Sequence, residues 1–327
     1  MRKSKIKMKL LRDESKKGIW QFSSFLSPLP DQFKLTQGEG ETAETVFDES
    51  LILKREDQNP SGSLKDRGMA YLISWAYAQG KKDLVLSSSG NAAISAAEYC
   101  RIGGVNLYAF VSPAINKEKM SRLQDSGVKF FISPRPVSEA VKFSQKNGFF
   151  NLRPSRNEFG SEGYQTIAFE LASSQGLIED IFIPVSSGVV LLGVARGFKK
   201  LGFLPKIHLC QSTAVCPIAS FFTKDYLPEE KSLAEALVAR FTPLKSKVIE
   251  VVRKSKGTGW VISNQEIVSS QRILAAKEIE TSAEGALAFA AWQKAKNRGW
   301  PLGKTVCLLT GKKYSQPAVI KRENGYQ

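Results

Sequence analysis

Histidine is nearly absent from this chain of 327 residues: His208 stands alone. A Ser-His-Asp triad or a histidine-built metal centre would have to rest on that one ring. It lies in the strand-like run Lys206-Ile207-His208-Leu209-Cys210, so neither chemistry is a good candidate and the ring is expected in the core. Cysteine is scarce and scattered. Cys100, Cys210, Cys216 and Cys307 form no Cys-x-x-Cys pair and have no second ligand at zinc spacing, so they are expected as reduced, mostly buried thiols, and no metal is expected. Long apolar runs are also missing, and nothing approaches the roughly 20 residues that cross a bilayer. Eight of the first 17 residues are Lys or Arg, interrupted by Ile6, Met8, Leu10 and Leu11 before Asp13 and Glu14. That leaves no apolar signal-peptide core. The expectation is a soluble, cytoplasmic protein with a solvated basic arm and no membrane partner. No Gly-x-Gly-x-x-Gly follows a strand-like segment, which disfavours nucleotide-dependent hydride transfer. Fixed-period repeats and long low-complexity tracts are absent as well.

What is present is enough apolar material, 42% of residues, to bury a large core. A formal charge of +16 favours anionic partners, such as a phosphorylated metabolite, an acidic membrane surface or nucleic acid. Charge by itself does not choose among them, and nucleic acid is the less favoured partner.

From about residue 83 onward the chain alternates short apolar strand, small-residue turn, helix and glycine stop, the pattern of βαβ units around a mainly parallel sheet. Strands are expected at 83–86, 107–111, 128–132, 181–185, 207–210 and 306–309. Helices are expected from 91 to about 103, at 117–126, 138–146, 165–173 and 189–201, and later at 233–240, 265–278 and 283–296. The Pro-, Asn- and Gly-rich stretch 151–163 reads as a linker. The fold class is α/β: two unequal three-layer α/β domains with mainly parallel sheets and a cleft between them. The larger is expected to comprise 1–80 and 165–327, the smaller 81–164.

The most informative segment is Asn59-Pro60-Ser61-Gly62-Ser63-Leu64-Lys65-Asp66-Arg67-Gly68. Pro60 and Gly62 read as a turn, and Ser63 followed by Asp66 reads as a capping box that puts Lys65 in a first helical turn. The positive end of the helix dipole disfavours an ammonium there, pushing the lysine toward the neutral, nucleophilic amine that an imine with an aldehyde cofactor requires. Three strand-to-helix or strand-exit junctions supply partners. Ser88-Ser89-Gly90-Asn91-Ala92 offers hydroxyls and amides to a carboxylate. Ser186-Ser187-Gly188-Val189-Val190 offers backbone N-H groups to a phosphate. At Thr310-Gly311 a hydroxyl can face a ring nitrogen.

Together these segments resemble the lysine motif and loops of threonine synthase and its relatives among the fold-type II pyridoxal-phosphate enzymes. Gly38-Glu39-Gly40-Glu41-Thr42, Glu162-Gly163 with Thr166 to Glu170, and Glu280 to Gly285 are similar to further segments of that family, so the resemblance spans most of the chain. It implies pyridoxal 5'-phosphate as cofactor, bound to Lys65. Asn91 would touch its 3-oxygen, residues 186–190 its phosphate and Thr310 its ring nitrogen. Ser88, Ser89, Asn91 and Ala92 would grip the substrate carboxylate, and Lys117, Lys119, Arg153 and Arg156 would meet a substrate phosphate. The implied protein is a homodimeric lyase of amino-acid metabolism acting on a small-molecule amino acid, with O-phosphohomoserine giving threonine and phosphate. Serine or threonine dehydration and cysteine-synthase-like replacement are the neighbouring readings, and a non-catalytic binding protein that keeps the fold is a further alternative. The chain departs from the family pattern with Ala43-Glu44 after the opening threonine, Tyr164-Gln165 before the helix threonine, and a phosphate loop that keeps only one glycine, Gly188.

Overall fold

The computed structural model describes residues 12–88 and 90–314. Ser89 and the first eleven residues of the basic arm therefore lie outside the described residues. Two sheets organise the chain. The larger has six strands in the order β1-β2-β10-β7-β8-β9, the smaller four in the order β5-β4-β3-β6. The strands are β1 Glu44–Val46, β2 Leu51–Lys54, β3 Asp83–Ser87, β4 Asn106–Val111, β5 Lys129–Ile132, β6 Phe150–Asn151, β7 Asp180–Pro184, β8 Lys206–Ser212, β9 Gly259–Ile262 and β10 Thr305–Leu308. All pairings are parallel except β1 with β2, an edge hairpin whose turn is held by Asp48 Oδ1 accepting from Ser50 N and Leu51 N.

The helices are α1 Lys65–Ala78, α2 Asn91–Gly103, α3 Lys117–Asp125, α4 Pro136–Asn147, α5 Gln165–Gln175, α6 Val189–Lys200, α7 Lys245–Lys254, α8 Asn264–Ala275 and α9 Ala283–Asn297. They cover both faces of both sheets, as parallel strands require. Alternate residues of the larger sheet face opposite sides. Ile181, Ile183, Val306 and Leu308 meet α5, α6 and α7, while Phe182, Cys307 and Leu309 meet α8 and α9. In the smaller sheet Leu84, Leu86 and Leu107 pack against α1 and α2, while Val85 and Phe110 face α4. The apolar face of α1 thus belongs to the core beside the smaller sheet, although the helix follows β2 of the larger one.

The alternating grammar after residue 83 is realised, with element ends shifted by a few residues. Two expectations are corrected. Residues 233–240 form no helix, because their backbone N-H groups are taken by side chains from elsewhere: Leu233 by Asn264 Oδ1, Ala236 by Glu284 Oε1 and Ala239 by Ser186 Oγ. Tertiary acceptors here replace the i−4 carbonyls. The capping box at Ser63 is also absent. Leu64 is the N-cap residue of α1, without a side-chain cap, because Ser63 bridges to Gly311 and Asp66 turns back to Ser61. The sequence pattern missed β1, β2, β6, β9 and α7.

Candidate active site

The lysine loop leaves β2 and enters α1 with Lys65 as the first helical residue. Its partner is the exit of β10. Leu64 N donates to Thr310 O at 3.1 Å, and Lys312 N to Gly62 O at 2.8 Å. β2 and β7 are the two neighbours of β10, so the loops following β2, β7 and β10 emerge side by side at the carboxyl edge of one parallel sheet, where ligands of such sheets bind. Residues 59–68, 186–190 and 310–311, far apart in sequence, are brought together this way.

Lys65 is half-buried, with Nζ 6.0 Å from the centre of the Tyr164 ring. Burial pushes its pKa down to about 8, against the opposing charge of Glu284. The amine is therefore accessible in its neutral form near neutrality. The expected direction is right, and the dominant physical cause is desolvation.

Asn91, the first residue of α2, comes from the smaller sheet. A Cβ on Gly311 would lie 2.7 Å from Asn91 Nδ2, so the β10 exit and this side chain approach each other closely. Asn91 Oδ1 is buried without a hydrogen-bond partner among the described residues. An orphaned buried acceptor is costly unless something else satisfies it. Ser88 Oγ accepts from Gly90 N at 3.2 Å, and Ala92 is half-buried in the same turn.

At the exit of β7, Gly188 takes φ 95° as the N-cap residue of α6. A side chain there would run into Val248. Ser186 and Ser187 are half-buried, Val189 is buried and Val190 half-buried. Thr242 Oγ1 donates to Ser187 O at 2.7 Å, which pins the loop from outside and leaves the first N-H groups of α6 as anion donors.

Behind the lysine lies a buried ion network. Arg67 is fully buried; its Nη2 donates to Glu56 Oε1 at 2.7 Å and its Nη1 to Glu170 Oε1 at 2.6 Å. Lys54 Nζ lies 2.8 Å from Glu170 Oε2. Burial alone would raise Glu170, but Arg67 and Lys54 outweigh it and hold the carboxyl down to about 2. The opening motif joins this network through Thr42 Oγ1 to Glu56 at 2.8 Å, Gly40 N to Asn59 Oδ1 at 2.9 Å and Glu41 N to Glu170 at 2.9 Å. Thr166 Oγ1 accepts from Arg67 at 2.9 Å. Three of the sequence motifs that carried the resemblance therefore meet in one scaffold.

The four cations expected to meet a substrate phosphate differ in placement. Lys119 lies 4.6 Å from the Tyr314 ring centre, Lys117 and Arg156 are exposed, and Arg153 is half-buried with its pKa lowered by burial and by Arg156. Near Lys119, the sequence reading passed over Arg122, which donates to Ser61 O at 2.8 Å and to Tyr314 Oη at 3.1 Å. Glu284 was also passed over, because an acidic residue in a first helical turn reads as an ordinary dipole partner.

His208 is a satisfied core residue. Trp260 Nε1 donates to its Nδ1 at 3.0 Å, so its Nε2 donates to Asp180 at 2.9 Å. The four cysteines are free thiols, three buried and Cys216 half-buried. Among the described residues no group of three or more His, Cys, Asp or Glu is placed to hold a metal ion, and no helix is long and apolar enough to cross a membrane. A cavity of about 160 Å³ lined by Trp260, Lys294, Arg298 and Trp300 lies away from the lysine, toward the start of β9.

The chain resembles known proteins along most of its length. It is 27% identical to the threonine synthase of Methanocaldococcus jannaschii over 92% of this chain and 81% of that one. To the threonine synthase of Mycobacterium tuberculosis it is 26% identical, over 82% and 78%. Among solved structures, maize serine racemase superposes with a TM-score of 0.72 at 20% identity, over 81% of this chain and 84% of that one. An O-acetylserine-dependent cystathionine β-synthase from Helicobacter pylori superposes with a TM-score of 0.70 at 20% identity, over 84% and 92%. These two likenesses carry the fold, two α/β units of the fold-type II class. The family model described as "Pyridoxal-phosphate dependent enzyme" matches residues 40–311, and the chain, with its lysine at the head of a helix beside an orphaned asparagine oxygen and a glycine-capped helix start, belongs to that family.

Proposed function

We propose that the protein is a pyridoxal-phosphate-dependent lyase of amino-acid metabolism resembling threonine synthase, which converts O-phosphohomoserine and water to threonine and phosphate. The observation that carries this reading is the convergence of Lys65, the 186–190 loop and Thr310 at one sheet edge, with Asn91 of the smaller sheet against Gly311, in a chain similar to threonine synthases over most of its length. Lys65 would hold the cofactor, Asn91 would meet its ring oxygen, residues 186–190 its phosphate and Thr310 its ring nitrogen. When bound, the cofactor supplies an electron sink for negative charge developing at the substrate α-carbon. Ser88, Ser89 and Asn91, with the Ala92 N-H, would orient the substrate carboxylate. The Lys65 amine, kept partly neutral by burial, would take the α-proton and return it at a neighbouring carbon. Thr310 brings a neutral hydroxyl in place of a carboxylate, which favours elimination and replacement over transamination. Lys117, Lys119, Arg153 and Arg156 would offer positive charge to a phosphate leaving group. In the same reading residues 81–164 form the smaller domain, and the enzyme is a homodimer in the cytoplasm.

The purified protein should show the visible absorption band of a lysine-bound cofactor, absent in Lys65→Ala. Phosphate release from O-phosphohomoserine, assayed beside keto-acid formation from serine and threonine, separates the threonine synthase reaction from dehydration. A colourless protein that takes up no pyridoxal phosphate defeats the proposal, and salt-sensitive RNA binding without turnover would replace it with a binding role.

A further inference from the structure

Glu284 lies in the first turn of α9, and contacts on either side of it fix that turn. Ser282 N donates to Gly311 O at 2.9 Å, and Thr281 Oγ1 donates to the same oxygen at 3.1 Å. A Cβ on Gly285 would lie 3.3 Å from Leu309 Cα. The helix therefore begins directly against residues 309–311, the segment whose Thr310 O receives Leu64 N just before Lys65. Glu284 Oε1 accepts from Ala236 N at 2.7 Å. Ala236 is the midpoint of an irregular segment fixed at one end by Leu233 N to Asn264 Oδ1 and at the other by Ala239 N to Ser186 Oγ and Thr242 Oγ1 to Ser187 O. That segment runs over the β7 exit loop, with Val238 and Phe241 turned to solvent at 67% and 72% exposure.

We propose that Glu284 is a positioning residue that ties this covering segment to the lysine, holding the Ala236 backbone with one oxygen and presenting its negative charge to the Lys65 amine. The other charged and titratable groups around Lys65 are engaged elsewhere. Asp66 binds Ser61, and Lys312 crosses Gly62 toward Glu118 at 3.6 Å. The buried Tyr164 faces Lys65 with its hydroxyl pKa raised by burial. Glu284 is the charge that opposes desolvation at the amine. The idea rests on the role of Lys65 but not on which amino acid is the substrate.

Two variants separate the two halves of the role. Glu284→Gln keeps an oxygen for Ala236 and loses the charge, whereas Glu284→Ala loses both. In the apoprotein, with lysines carrying carbon-13 methyl labels and the Lys65 signal assigned by its absence in Lys65→Met, both variants should titrate at a midpoint lower than wild type by about half a pH unit. Hydrogen exchange across 234–241 should match wild type in Glu284→Gln and run about tenfold faster in Glu284→Ala. An unshifted Lys65 midpoint in Glu284→Gln, or unchanged exchange in Glu284→Ala, overturns the proposal. Because both readouts use the apoprotein, a failure of the cofactor reading would show separately, as the missing absorption band of the wild-type enzyme.

Discussion

Two regions flank Lys65, and their chemistry is opposite. Behind it Arg67, Glu56, Glu170 and Lys54 are buried together, and each charge is matched at hydrogen-bonding distance. In front of it the Asn91 oxygen has no described partner, the Lys65 amine is desolvated without a close ion pair, and the glycine-capped start of α6 points its amides outward. A saturated network has no capacity left for a ligand; an unsaturated one does. The difference explains why several motif residues that look chemical are scaffold, while the candidate site is made of few groups with hydrogen-bonding capacity to spare.

The comparison can be broken most severely at Arg67. Replacing it with Met leaves Glu56 and Glu170 buried without their main counter-ion, and stability should fall by about 3–5 kcal/mol. Urea unfolding of the apoprotein measures this, and a loss below 1 kcal/mol would mean the network is not the closed scaffold described.

Lys65 should behave in the opposite way. Its folded pKa is lowered from 10.5 to about 8, so below pH 8 the folded state carries a desolvated ammonium that the unfolded chain carries in water. Between about pH 8 and 10.5 the folded protein releases that proton first, so this group's contribution to stability rises with pH and levels off above the unfolded value. Lys65→Met should therefore stabilise the apoprotein by about 2 kcal/mol at pH 7 and lose most of that gain by pH 10.5. Paired unfolding curves at the two pH values test it, and a variant less stable than wild type at pH 7 contradicts it. The smallest expected effect is within the unsaturated region. Gly188→Ala puts a side chain at φ 95° and against Val248, which should cost about 1–2 kcal/mol and weaken cofactor retention roughly tenfold. Equilibrium dialysis with pyridoxal phosphate would detect the second effect.

Much of the fold was legible because alternation of short apolar strands with small-residue turns is a local signal. β3, β4, β7, β8 and β10 follow it, and so do α2, α6 and α9. The two corrected expectations share a cause. The 233–240 stretch has helical periodicity but spends its backbone donors on Asn264, Glu284 and Ser186, and Ser63 gives up capping for a bridge to Gly311. No window of sequence contains those partners. Of the candidate site, Lys65, Asn91, Gly188 and Thr310 stand out in the sequence because each sits at a junction marked by small or turn-forming residues. Arg122 and Glu284 do not, since a charged residue on a helix looks the same whether it faces solvent or a cleft.

By itself, the sequence determined the class of fold and marked the candidate lysine and candidate anion loops, because periodicity and turn chemistry are properties of neighbours along the chain. Only the tertiary structure decided that β10 lies between β2 and β7, that Glu39 to Glu41, Arg67 and Glu170 serve the scaffold, and that Glu284 holds the Ala236 backbone at the start of α9. Strand order and burial are set by packing between distant segments, and it is burial that lowers the pKa of an ordinary lysine to about 8, so that part of its amine is neutral near physiological pH.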